Sequence, residues 1–158
     1  MRGSTRRALT FGALGGSVGL AFGVYIFLIA EGDGFRWFIG AAAIAAFLCS
    51  AALWRLLPER SERHRPAWGA AAGAVAGIVS HYFTWYFQYV SANVCYWFTG
   101  GCTSSLGEPP ADLLTAVAGA AGFTFFSLLG FGWLTLLIGA GLGLVFGFAS
   151  KKAFTSED

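Results

Sequence analysis

Charged side chains are scarce in this 158-residue chain: ten Lys and Arg and eight Asp and Glu make up 11% of it, against roughly 25% in a soluble domain. That excludes an ordinary water-soluble fold. Three cysteines, two histidines and four prolines are too few for a disulfide scaffold, a His/Cys metal cluster or a proline-rich disordered segment. The long apolar stretches hold no carboxylate, which argues against proton- or sodium-coupled transport. No glycine loop ends in Lys-Ser/Thr, so no phosphate cradle is expected. Neither a nucleophile elbow nor a basic nucleic-acid patch is visible, and no catalytic residue, metal, cofactor or nucleic-acid partner is expected.

What is present is apolar. Hydrophobic residues reach 56%, aromatics 17%, and mean hydropathy is +0.65. The eighteen charges fall in short clusters and leave four charge-free stretches, 8–30, 37–54, 66–107 and 113–150. About 20 apolar residues cross a ~30 Å hydrocarbon core, so the first two stretches are one span each. The third reads as one span followed by an irregular loop, because residues 91–107 carry Asn93, Gly100, Gly101, Thr103, Ser104 and Ser105. As one helix the fourth would be ~57 Å long. It is therefore divided at Gly122 into a short interfacial or re-entrant segment, 111–121, and a full span. The expected architecture is all-α: a single transmembrane domain over 1–158, an integral membrane four-helix bundle with spans at 9–30, 37–56, 68–90 and 123–149 and an outer loop at 91–122.

Basic residues give the orientation. Arg2, Arg6, Arg7, Arg55, Arg60, Arg63, Arg65, Lys151 and Lys152 all fall on one side, with Arg36 alone on the other beside Glu31, Asp33, Glu108 and Asp112. The positive-inside rule then places both termini in the cytoplasm. The apolar run after the basic start is too long for a signal peptide, and Leu28-Ile29-Ala30 is a poor cleavage site. Eight Arg against two Lys, with abundant Ala and Gly, suggests a GC-rich genome and a bacterial inner membrane.

Three helices carry glycine every fourth residue: Gly15, Gly19 and Gly23; Gly69, Gly73 and Gly77; Gly139, Gly143 and Gly147. Ala42, Ala46 and Ser50 are the weaker equivalent in the second. That spacing predicts faces on which backbones approach closely, the GxxxG mode of helix packing in lipid. Three such ladders exceed the evident need of one small bundle, which points to contacts with other membrane subunits or identical copies as well as with the bilayer. Large aromatics, including Tyr25, Phe27, Phe38, Tyr82, Trp85 and Phe126, map to the outer half. This predicts a bundle tight at the cytoplasmic end and broader outside.

Two polar features stand out. Cys95 and Cys102 share the outer loop, where an oxidising compartment favours a disulfide; Cys49 is alone in the second helix and reads as a small buried apolar residue. Thiol-disulfide exchange with a quinone would need further cysteines in the first outer loop, residues 31–36, which has none. His81 is ionisable and well inside a predicted span, and such groups are functional candidates by default. Ser80, Thr84, Trp85 and Gln88 continue the same region as a polar seam facing the bundle interior. His64 is expected on the opposite membrane side and cannot join His81 at a metal.

The favoured expectation is a non-catalytic multi-pass membrane protein, an accessory or scaffolding subunit or an oligomeric pore protomer. The alternative is a lipid- or quinone-binding membrane enzyme using the outer aromatics and His81.

Overall fold

A computed structural model describes residues 2–30, 33–60, 65–103 and 106–155. Glu31, Ser104, Ser105 and the 61–64 segment with Arg63 and His64 lie outside the described residues, so the expectations attached to them are not addressed. The described chain is helical and contains no strand: α1 (Arg2–Ile29), α2 (Phe38–Leu56), α3 (Arg65–Thr99), α4 (Thr115–Ser127) and α5 (Trp133–Thr155), with short 3₁₀ turns at Asp33–Trp37 and Pro58–Arg60. Three stretches are long and apolar enough to cross a membrane: Gly3–Ile29, Phe35–Leu56 and Thr115–Ser150. They mark the chain as a membrane protein. α3 is longer than any of the other labelled helices but is not among these three stretches, because His81, Gln88, Asn93 and its tyrosines and tryptophans interrupt the aliphatic run.

Local chemistry explains the ends. α2 ends at Leu56, two residues before Pro58, since proline disfavours helical backbone in the residue that precedes it, Leu57. Pro66 sits in the first turn of α3, where its missing N–H costs nothing. At the far end Gly100 adopts φ +67° and its N–H donates to the Tyr96 carbonyl at 2.9 Å, the left-handed stop that glycine permits. The Asp112 carboxylate caps the turn leading into α4, accepting from the Leu114 and Thr115 N–H groups at 2.9 and 3.0 Å and from the Thr115 hydroxyl at 2.6 Å. These bonds, the Thr115 hydroxyl first, hold its carboxyl below the ordinary carboxylate range.

Two expected boundaries are corrected. The loop expected from residue 91 is helix as far as Thr99, because its polar side chains bond back to the preceding turn: Ser91 to the Phe87 carbonyl at 2.8 Å, Asn93 to Tyr89 at 3.0 Å, Thr99 to Cys95 at 2.7 Å. At 35 residues and 1.5 Å per residue, α3 is ~52 Å long. The break expected at Gly122 is also absent. The helix runs through that residue, and the irregularity lies at Leu128–Gly132, one π turn joining α4 to α5. Segment 111–121 is thus not a separate interfacial helix, since α4 continues through the π turn into α5.

The helices pack as two antiparallel pairs, α1 with α2 and α3 with α5, joined through α2 and α3. In the first pair a Cβ on Gly12 would stand 2.9 Å from Ala51 Cβ, and one on Gly23 2.7 Å from Ile39 Cα. Gly15 and Gly19 face Ser50, Ala46 and Ala42 more closely still. In the second pair Gly69 faces Gly143 and Gly73 faces Gly139, backbone against backbone, while Gly77 meets Thr135 and Gly147 meets Pro66. All nine ladder glycines therefore sit against the neighbouring helix of the same chain. Gly40, Gly122, Gly130 and Gly141 have nothing within 4 Å of an added Cβ.

Candidate functional site: a slot between the helix pairs

α1 and α5 touch sparsely. Their contact is fixed at one end by three rings: Phe11 lies 4.6 Å from Trp54 and 5.5 Å from Phe146, and Trp54 4.7 Å from Phe146. Trp54 is fully buried, and Ala8, Leu142 and Phe146 complete this cluster. A charged network closes it from outside. Arg7 donates twice to Glu59, both bonds 2.8 Å, and the Trp54 indole N–H donates to the same carboxylate at 3.1 Å. The Arg7 hydrogen bonds, helped by Trp54 and the Arg7 and Arg65 charges, hold the Glu59 carboxyl below its ordinary range against the opposing effect of burial. A depressed folded value means that Glu59 contributes stability above its unfolded pKa of about 4.3 and loses it as pH falls through the folded value. Thermal unfolding across pH 3–7 should show an acid-side loss in the wild type. Glu59→Gln should be less stable at pH 7 and flatter below pH 5; an unchanged acid limb in that variant would contradict the network.

Beyond this plug a half-open cavity of about 390 Å³ lies between the two pairs. It follows α1 from Phe11 to Ile29, some ~27 Å of helix rise, so it is a narrow slot. A second ring contact, Tyr25 against Phe131 at 6.2 Å, bridges α1 to the π turn. Among the described residues the lining is apolar apart from Ser50 and a polar patch at His81, Ser80, Thr84, Ser127 and Thr135, with no Asp, Glu, Lys or Arg.

The patch is organised by His81. Its Nδ1 lies 2.6 Å from Ser127 Oγ and its Nε2 2.9 Å from Thr135 Oγ1. Thr135 donates its own hydrogen to the Gly132 carbonyl at 3.0 Å. In the neutral ring Nε2 therefore carries the hydrogen directed at Thr135, and Nδ1 accepts from Ser127, an assignment made from the network. Eight residues separate Ser127 from Thr135, which on a regular helix at ~100° per residue turns them about 80° apart. The intervening π turn takes up one extra residue and reduces this to roughly 20°, bringing both hydroxyls onto the face that meets His81.

Of the expected seam, Ser80, His81, Thr84 and Trp85 line the slot, while Gln88, one turn further along, does not. Ser80 donates to the Gly77 carbonyl at 3.1 Å and Thr84 to Ser80 at 2.7 Å. Trp85 packs on Phe123 at 4.8 Å and edge-on against Phe38 at 5.2 Å, and its indole N–H is buried without a partner. Ser127 and Thr135 were missed by sequence reasoning. They are the two hydroxyls in the apolar run 125–149, a usable signal hidden by their spacing.

Cys95 and Cys102 are joined by a disulfide that folds the chain back after α3, with Cys102 itself at φ +58°. Trp97, Phe98 and Leu106 nearby are exposed. Cys49 is buried and free. Among the described residues no cluster of His, Cys, Asp or Glu is placed to hold a metal ion. No protein-family model, curated protein or solved structure matches the chain.

Proposed function

We propose that the chain is a four-helix membrane protein of the bacterial inner membrane, with both termini in the cytoplasm, that binds a small membrane-soluble molecule in the slot between its helix pairs. α3, buried against α2 and α5, would be the fourth span. The observation that carries this reading is a long apolar cavity with one hydrogen-bonded patch at His81, the usual composition of a small-molecule site. The glycine ladders support it indirectly. As GxxxG faces they would hold the pairs together from within, which leaves them no role in recruiting a second chain.

Photocrosslinking in intact membranes tests this. Gly130 lines the slot and has open space at its Cβ, so a benzophenone amino acid there should capture a small lipophilic adduct. Capture of a protein instead would overturn the reading.

A second reading, an accessory subunit that docks another membrane chain through its outward end, is favoured by the exposed Trp97, Phe98 and Leu106 beside the disulfide. Stable co-purification lost on replacing Trp97 and Phe98 by Ser would support it.

A further inference from the structure

We propose that the molecule bound in the slot is a neutral, single-tailed amphiphile whose head is a hydroxyl group, seated between Ser127 and Trp85. This rests on the slot being a binding site and specifies what it selects.

Charge sets the first limit. Among the described residues no carboxylate, ammonium or guanidinium lines the cavity, and an ionised head taken into such an environment unpaired is strongly disfavoured. Phosphate, carboxylate and amine heads are thereby excluded. Size sets the second. The 390 Å³ is spread along α1 from Phe11 to Ile29, a width that suits one chain or one flat ring rather than two tails side by side, with the remainder leaving through the sparse contact between α1 and α5.

Hydrogen-bond direction sets the third. Around His81 the hydroxyl and imidazole hydrogens are already engaged: Ser80 to Gly77, Thr84 to Ser80, Thr135 to Gly132, Ser127 to Nδ1, and Nε2 to Thr135. With the imidazole in the tautomer assigned above, what the patch offers a ligand is oxygen lone pairs, on Ser80, Ser127 and Thr135, so the ligand donates. One turn along α3, the Trp85 N–H is buried with no acceptor, a costly state that a ligand oxygen relieves after a small shift of the indole. A head that both donates and accepts, and carries no charge, is a hydroxyl. The rings of Phe22, Phe35, Phe38, Phe126 and Phe131 along the slot suit a flat body as well as a chain, so a phenol or quinol and an aliphatic alcohol share the required chemistry.

The test uses four probes on the purified wild-type chain in mild detergent, read by binding isotherms and thermal shift. They are 4-decylphenol, which donates and accepts; 4-decylanisole, which only accepts; decylbenzene, which does neither; and 1-hexadecanol. The phenol should bind about tenfold more tightly than the anisole and the hydrocarbon. Ser127→Ala should reduce the ratio of phenol to decylbenzene affinity, and Trp85→Phe should weaken the phenol and the anisole relative to decylbenzene. A stronger response to 1-hexadecanol than to the phenol assigns the source as an aliphatic alcohol, the reverse as a ring; either supports the hydroxyl. Equal binding of phenol and anisole would overturn the hydroxyl assignment and leave the slot as a binding site. Absence of binding by all four would overturn both. The wild-type comparison stands even if a variant does not fold.

Discussion

Gly73→Leu should leave little folded protein in mild detergent. A Cβ at this position runs into the Gly139 carbonyl, and the reciprocal Cβ on Gly139 runs into the Gly73 carbonyl, so neither helix can yield without the pair separating. Overpacking a site bounded by flexible side chains costs about 1–3 kcal/mol; here the obstacle is backbone, and the four-carbon leucine side chain has to displace α5 as a whole. The effect should reach the scale of total stability, roughly 5–15 kcal/mol for a domain. Gly141→Ala, in the same α5 and two residues from Gly139, is the contrast. Nothing lies within 4 Å of its added Cβ, and alanine is favoured over glycine inside a helix by about 1 kcal/mol. It should therefore match or exceed the wild type in thermal scanning. Loss of folding by both variants, or by neither, would show that the α3–α5 contact is not the one described.

Trp54→Ala should be the most damaging side-chain truncation. Trp54 is fully buried, contacts Phe11 and Phe146, and gives its indole hydrogen to Glu59. Truncating a large buried aromatic costs about 3–5 kcal/mol, and the Glu59 carboxylate loses a charge-assisted bond as well. Trp54→Phe should recover most of the packing and lack only that bond, about 1.5–3 kcal/mol for a hydrogen bond to a charged group. Unfolding titrations in denaturing detergent should rank the three wild type, Phe, Ala. Since this cluster is where α1 is fastened to α5, the alanine variant should also open the slot at its basic end.

How far this was legible in the sequence depends on which forces set each feature. Helix number and apolarity followed from where eighteen charges fall, because the cost of carrying charge into hydrocarbon dominates local preference. The positions of close approach were visible too: glycine at every fourth residue has few explanations other than a near neighbour. Which helix each ladder meets was not visible. A ladder looks the same whether it faces its own chain or another, and only the structure sets Gly69 and Gly73 against Gly143 and Gly139.

Residues 91–99 looked like a loop because they are polar, yet Ser91, Asn93 and Thr99 satisfy themselves within the helix. Gly122 looked like a break because glycine is a weak helix former, but a stretch that is helical on both sides carries it through. The candidate site was half legible. His81 announced itself as an ionisable group in an apolar run; Ser127 and Thr135 did not, because only a π turn brings residues at that spacing onto one face.

If the slot between the helix pairs is the binding site, one chain supplies its lining and no second copy is needed to complete it. Native mass spectrometry of the protein released from mild detergent should then show a monomer carrying one small lipophilic molecule, and loss of that molecule from a slot-filling Ala76→Phe variant that remains folded. A ligand-free oligomer, or a monomer that holds the same molecule in wild type and variant alike, would contradict it.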